Sequence, residues 1–214
     1  MFEILPGILE KDWPAIEKKL KLVKPFAKSI HVDIIDGKFA PNTTFLDPKP
    51  FAKYSQDFIL ELHMMVEEPI NYLKPWADAV FRRFIGHIDK MSDQVEFVAQ
   101  AQLLGEVGLA LDKQTGVDAL KVPLEDLDSL VVMTVQTGFS GQSFQEECLQ
   151  KVKELNAKTS IPIEVDGGTN DETILISASS GATRFVATSF LYSMGTAQEQ
   201  FNLLEEKLKT LSSI

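Results

Sequence analysis

Eight times along this chain, a short β-branched apolar run is followed by a stretch with helical spacing. The strand-like runs cover residues 3–8, 29–35, 58–65, 79–85, 106–111, 130–135, 162–165 and 183–187. Asp12 is placed to cap a helix whose buried face is Ile16, Leu20 and Val23. A short helix is expected over 48–54 and a weak one near 117–122. Longer helices are expected over 69–76, from a Ser92 cap to Leu104, over 144–157 and over 171–180. A last one runs through Phe201, Leu204 and Leu208. Repeated βα units dictate a parallel sheet with right-handed crossovers. Eight of them in 214 residues predict an α/β protein, a single-domain (β/α)8 TIM barrel over residues 1–214. The alternative is an open doubly wound sheet, which requires the first or fourth strand to be misassigned.

A barrel of this kind places its chemistry at the C-terminal ends of the strands. In the second strand, Ile30, Val32 and Ile34 alternate with His31 and Asp33. An imidazole and a carboxylate therefore share one face. Burying such a pair is costly unless something satisfies it, either a structural hydrogen bond or a metal ion. His63 ends the third strand, His87-Ile88-Asp89 follows the fourth, and Asp166 ends the seventh. All three histidines of the chain thus fall at strand ends. His31, Asp33, His63 and Asp166 form a two-imidazole, two-carboxylate set suited to Zn²⁺, Mn²⁺ or Fe²⁺. A thiolate site is excluded, because Cys148 is the only cysteine, and its surroundings fit a buried, inert thiol. Carboxylates from two strands also suit acid–base work on opposite faces of a substrate.

Glycine-containing loops follow the last three strands. They are Thr137-Gly138-Phe139-Ser140-Gly141-Gln142-Ser143, Gly167-Gly168-Thr169-Asn170, and Thr188-Ser189 at the start of the last helix. Glycines permit tight turns wherever they occur. Three neighbouring loops with free amides make a phosphate cradle the better reading. The charge balance bears on what kind of phosphate. With 21 basic and 31 acidic residues the net charge is −10, which argues against DNA or RNA but not against one small phosphate. No run of 18 apolar residues is present, so no membrane span is expected. The first residues lack the basic segment of a secretory signal, and one cysteine suits a reducing compartment, so a cytoplasmic location is expected.

His31-Val32-Asp33-Ile34-Ile35-Asp36-Gly37, with Phe39, Pro41-Asn42 and Thr44-Phe45, resembles the signature of the ribulose-phosphate 3-epimerase family. So do His63-Met64-Met65-Val66 with Pro69, Gly108-Leu109-Ala110-Leu111, and Val132-Met133-Thr134-Val135 with Gly138-Phe139 and Gly141-Gln142-Ser143-Phe144. Glu164-Val165-Asp166-Gly167-Gly168 completes the set, in the family's order, between about Ile4 and Leu191. The resemblance implies a barrel of the ribulose-phosphate-binding type that interconverts D-ribulose 5-phosphate and D-xylulose 5-phosphate, in pentose phosphate metabolism. It implies one divalent ion (Zn, Fe, Mn or Co) on His31, Asp33, His63 and Asp166. The two aspartates are then also the acid–base pair around a metal-stabilised enediolate. Gly138, Phe139, Ser140, Gly141, Gly167, Gly168, Thr188 and Ser189 would hold the phosphate. Gly7, Ile35, Met65 and Met133 would line the pocket. A phosphorylated ketose is the implied partner, and a homo-oligomer, dimer or hexamer, the implied assembly.

The sequence departs from the family pattern around this set. The first strand ends Pro6-Gly7-Ile8-Leu9 where the family usually has a serine in place of Gly7, so a substrate-facing hydroxyl is missing. Ile35 stands where many members have methionine. Thr137-Gly138-Phe139-Ser140-Gly141 replaces Pro-Gly-Phe-Gly-Gly, Asp112-Lys113 replaces Asn-Pro, and Thr188-Ser189 replaces Gly-Ser. His87-Ile88-Asp89 resembles the family's His-x-Glu with a shorter acid. Arg82-Arg83 on the fourth strand is atypical and has no account in the sequence. The altered rim leaves open a hexulose 6-phosphate substrate or a non-catalytic sugar-phosphate binder. A Schiff-base aldolase needs an inward lysine, for which Lys113 is the candidate. Lyases and decarboxylases of similar barrels carry a lysine after the second strand's first aspartate, and Ile35 occupies that position.

Overall fold

The computed structural model describes residues 2–193 and 195–211. Eight parallel strands close on themselves in sequence order, β1 pairing with both β2 and β8. They are β1 (Glu3–Ile8), β2 (Ser29–Ile35), β3 (Ile59–Met65), β4 (Arg83–His87), β5 (Glu106–Leu111), β6 (Ser129–Met133), β7 (Ile163–Asp166) and β8 (Arg184–Ala187). The helices α1 (Trp13–Val23), α2 (Ile70–Asp78), α3 (Gln94–Gln102), α4 (Leu149–Asn156), α5 (Thr173–Ser179), α6 (Ser189–Ser193) and α7 (Ala197–Leu211) follow the strands. The closed barrel rules out the open sheet. Among the described residues, no helix is long and apolar enough to cross a membrane.

Strand alternation divides the core in two. On β2, Ile30, Val32 and Ile34 point outward and pack with Leu20 and Val23 of α1 and the other helices in one continuous apolar layer. The inward-facing residues do not form a matching apolar plug. Ile85, Ala110, Val131, Met133 and Val135 fill the β4–β6 side. The remaining interior holds charged and polar groups, among them His31, Glu61, His63, Glu164 and Arg184, all buried.

Several boundaries differ from expectation, each for a local reason. Residues 79–81 look strand-like, but α2 ends in Ala79 and Val80 turns the chain with φ 69°. The fourth strand therefore begins at Arg83, and His87 is its last residue. Asp93, not Ser92, caps α3, accepting from the Glu96 amide at 3.0 Å, while the Ser92 hydroxyl donates to Glu68. The stretch near 117–122 makes only 3-10 turns, Val117–Ala119 and then Leu124–Asp126. Gln145 is held extended by its amide's bond to the Thr134 carbonyl, so α4 starts only after a turn at Glu146–Cys148. Cys148 is buried. Thr188-Ser189 opens the short α6 rather than the last helix, and Gly195 with φ 64° precedes α7.

Asp36 organises the loop after β2. Its carboxylate accepts from the amides of Lys38 (2.8 Å), Phe39 (3.0 Å) and Glu67 (2.9 Å). Asp36→Ala removes three charge-assisted bonds, so a loss of about 2 kcal/mol and a Tm lower by about 5 °C are expected in calorimetry. An unchanged Tm would show that the loop holds without it.

Candidate active site

The polar interior is built in two tiers. β2 and β3 pair with His31 beside Glu61 and Asp33 beside His63. β7 and β8 pair with Glu164 beside Arg184. Period-2 alternation then places Glu61 below His63 and Glu164 below Asp166.

The lower tier is an ion network centred on buried Glu61, Glu164 and Arg184. The Arg184 guanidinium donates to Glu61 and stands 3.2 Å from Glu164 and 3.1 Å from Glu3. Burial works against the charged form of Glu61, yet Arg184 and the His31 contact hold its carboxyl down at about 2. Burial and the neighbouring Glu61 push Glu164 the other way. Arg83, unexplained in the sequence, bridges the floor of the barrel. It reaches Glu106 at 2.5 Å and Glu3 at 3.3 Å. Arg82 instead donates to the Phe81 carbonyl.

The upper tier brings together His31, Asp33, His63 and Asp166. Their nearest ligand atoms all lie within 4.8 Å of one another. His63 Nδ1 is 2.9 Å from Asp33 and 3.2 Å from Asp166. His31 Nε2 is 3.3 Å from Asp33 and 3.7 Å from Asp166. Burial disfavours charge on His63, but hydrogen bonds to Asp166 and Asp33 raise it to about 9. Burial likewise opposes charge on His31, and Asp33 with the acids below it lifts its pKa well above the ordinary value. Burial raises Asp33 in turn, but the two imidazoles override it and hold the carboxyl below the usual carboxylate range.

These groups fit a divalent cation. His31 Nδ1 is 2.7 Å from Glu61, a contact that fixes the proton there and leaves Nε2 facing the cluster. That Nε2 is buried and has no hydrogen-bond partner. His63 Nε2 is 2.8 Å from His87 Nε2, which lets Nδ1 face the two aspartates. Burial lowers His87, favouring the neutral ring that can accept this bond. Two imidazolium protons and one dication balance the same two carboxylates, so a metal can replace the protons without unbalanced charge. A second cluster, His31, Glu61 and Glu164, also has donor atoms within 4.8 Å of one another. Its acids already face Arg184, so the upper set is the better cation site.

A pocket opens above the upper tier. Asp33, Asp166, Met65 and Met133 form its floor and sides, and Gly138, Phe139, Ser140, Gly141, Gly167, Gly168, Thr188 and Ser189 stand around it. The amides of Gly138, Phe139, Ser140, Gly141 and Gly168 donate no hydrogen bond within the described residues. Gly167 takes φ 110°, and a β-carbon there would come within 2.3 Å of Val135. Only glycine lets this backbone run so close to the pocket. Two expected lining residues lie behind the wall. Ile35 is fully buried against Ala40 and Met65, and Thr188 stands in front of Gly7. Lys113 does not point inward, since its ammonium pairs with Glu147 at 3.1 Å.

Sequence reasoning missed Glu61, Glu164 and Arg184 as site-supporting residues. Glu61 and Glu164 share the two-residue alternation of His63 and Asp166, a signal that was present. Gln142 and Thr169, which belong to the glycine loops, also line the pocket, as does Leu9, which nothing local marks.

Comparison with known proteins agrees with this geometry. The model of the "Ribulose-phosphate 3 epimerase family" matches residues 3–192. Ribulose-phosphate 3-epimerase of Schizosaccharomyces pombe is 33% identical over 204 residues, covering 92% of this chain and 90% of that protein. The Bacillus subtilis protein of the same name is 33% identical over 202 residues, covering 90% and 93%. Among solved structures, KGPDC from Streptococcus mutans superimposes with a TM-score of 0.76 at 12% identity, covering 98% of this chain and 99% of that one. 3-Hexulose-6-phosphate synthase from Salmonella typhimurium gives 0.72 at 12% identity, covering 97% and 99%. At that identity the two structures speak to the fold alone. The sequence matches do more: this chain belongs to the ribulose-phosphate 3-epimerase family.

Proposed function

We propose that this protein inverts the configuration at C3 of a ketose 5-phosphate, interconverting D-ribulose 5-phosphate and D-xylulose 5-phosphate. The observation that supports it best is the upper tier itself, where two carboxylates from β2 and β7 converge beside two imidazoles under an open pocket. His31, Asp33, His63 and Asp166 would hold one divalent cation, of Zn, Fe, Mn or Co type. When bound there, such an ion polarises the oxygens of the ketose and makes the adjacent C–H more acidic.

The chain's own groups supply the rest. One of Asp33 and Asp166 takes the C3 proton, and the other returns a proton to the opposite face. Asp33 reaches both imidazoles and lines the pocket, where it is placed to act as a base. His31 and His63 cannot wander, because Glu61 and His87 hold their far nitrogens. Met65 and Met133 close the floor with soft apolar surface, which keeps water from the enediolate. Free amides of the Gly138–Gly141 and Gly167–Gly168 segments point the phosphate away from the reacting carbon.

Metal removal tests the cation directly. Stripping the protein with a chelator is expected to abolish epimerisation of D-ribulose 5-phosphate in a coupled assay. It should also lower the Tm, since a ligand at about 100 times its Kd adds about 2.7 kcal/mol. Adding back Zn²⁺, Mn²⁺, Fe²⁺ or Co²⁺ singly should restore both. Full activity in metal-free protein would overturn the assignment.

A further inference from the structure

The two departures at Gly7 and Thr188 are one structural feature. β1 and β8 pair with Pro6 opposite Ala187, which brings residues 7 and 188 side by side. A β-carbon on Gly7 would lie 2.1 Å from Thr188 Oγ1 and 3.2 Å from Thr188 Cβ. The threonine side chain therefore occupies the space that any side chain at position 7 would need. Thr188, with Val186 Cγ1 at 3.1 Å, thus fills the space beside Gly7 in this conformation.

The hydroxyl placed there is unengaged. Thr188 lines the pocket together with Asp33 and Asp166. Its Oγ1 makes no hydrogen bond within the described residues. Thr188 continues the inward face of Arg184 and Val186, and Gly7 is paired on its other side with His31. The hydroxyl thus lies at the β1–β8 edge of the pocket, beside Gly7, whose other strand neighbour is His31.

We propose that Thr188 Oγ1 is a substrate-binding, specificity-determining group that hydrogen-bonds an oxygen of the bound ketose phosphate, delivered from β8 across the gap left by Gly7. This rests on the ketose-phosphate reading above and names a residue that sets its selectivity. Threonine's β-carbon also carries a methyl group, which restricts χ1 and fixes the hydroxyl's direction more tightly than serine does.

The test is a swap of the hydroxyl between strands, read on the metal-loaded enzyme by steady-state kinetics and by calorimetric binding of D-ribulose 5-phosphate. Thr188→Val keeps the shape and removes the hydroxyl. It is expected to weaken binding and kcat/KM by about tenfold, mainly through KM, with Tm and metal content near native. Thr188→Ser keeps the hydroxyl and should recover most of that loss. Gly7→Ser alone collides with Thr188 and should lower both Tm and kcat/KM. The double variant Gly7→Ser/Thr188→Gly removes the collision and returns a hydroxyl from β1, so it should bind better than either single variant. Native-like binding by Thr188→Val, or a double variant no better than the worse single one, would overturn the proposal. Absence of turnover in the native holoenzyme would count against the epimerase reading instead, and the binding comparison still decides the role of the hydroxyl.

Discussion

Asp166→Asn is expected to lower kcat by about 10³-fold or more, and Asp33→Asn to do the same, while each variant stays folded. The size follows from the geometry. Both carboxylates are buried and within 4 Å of the same two imidazole nitrogens, so neither has a substitute nearby. The amide keeps the shape but holds no exchangeable acid. The more informative readout is solvent deuterium at C3. If each aspartate serves one face, each variant keeps slow exchange for one epimer and loses it for the other. Epimerisation stops in both cases. Near-native turnover in either variant, or exchange from both epimers in both variants, would refute the two-aspartate assignment.

Arg184→Met should be the most destabilising single change in the barrel. It leaves Glu61 and Glu164, both fully buried, without the guanidinium that balances them. Stranding a buried charge costs about 3–5 kcal/mol, and a chain of this size loses about 2–4 °C of Tm per kcal/mol. A fall of about 10 °C in scanning calorimetry is expected. Adding Glu164→Gln to Arg184→Met should restore part of it, because one stranded charge is removed. A shift smaller than about 2 °C would show that the lower tier is neutral or wet. Loss of activity should accompany the loss of stability, since Glu61 can no longer fix His31 in the tautomer that faces the cluster.

The sequence carried the upper tier because β-strand alternation is local. His31 with Asp33, then His63 and Asp166, could be placed on inward faces from spacing alone. The glycine loops were legible for a similar reason, since positive φ at Gly138, Gly141, Gly167 and Gly168 is a demand of the local backbone. The fourth strand was misplaced because Ala79 and Val80 are apolar without being extended, and a left-handed Val80 leaves no compositional trace. Arg83 and Arg184 were illegible for a different reason. Their partners Glu3, Glu61, Glu106 and Glu164 belong to other strands, and strand register and barrel closure, not local spacing, make them neighbours. Gly7 and Thr188 could be seen singly, but their interlock depends on the β1–β8 register, which no local pattern encodes.

The Arg184–Glu61 bond joins residues 123 positions apart in the chain. Its acid is made early and its base nearly last. Any compact form of the chain that lacks β8 must either bury Glu61 and Glu164 with only His31 and Arg83 near them or leave β3 and β7 open to water. Closure of the sheet by β8 and full pairing of these buried acids therefore come together. The network beneath the site thus acts as a latch on assembly: the strand that seals the barrel also neutralises the acid that keeps the His31 imidazole oriented.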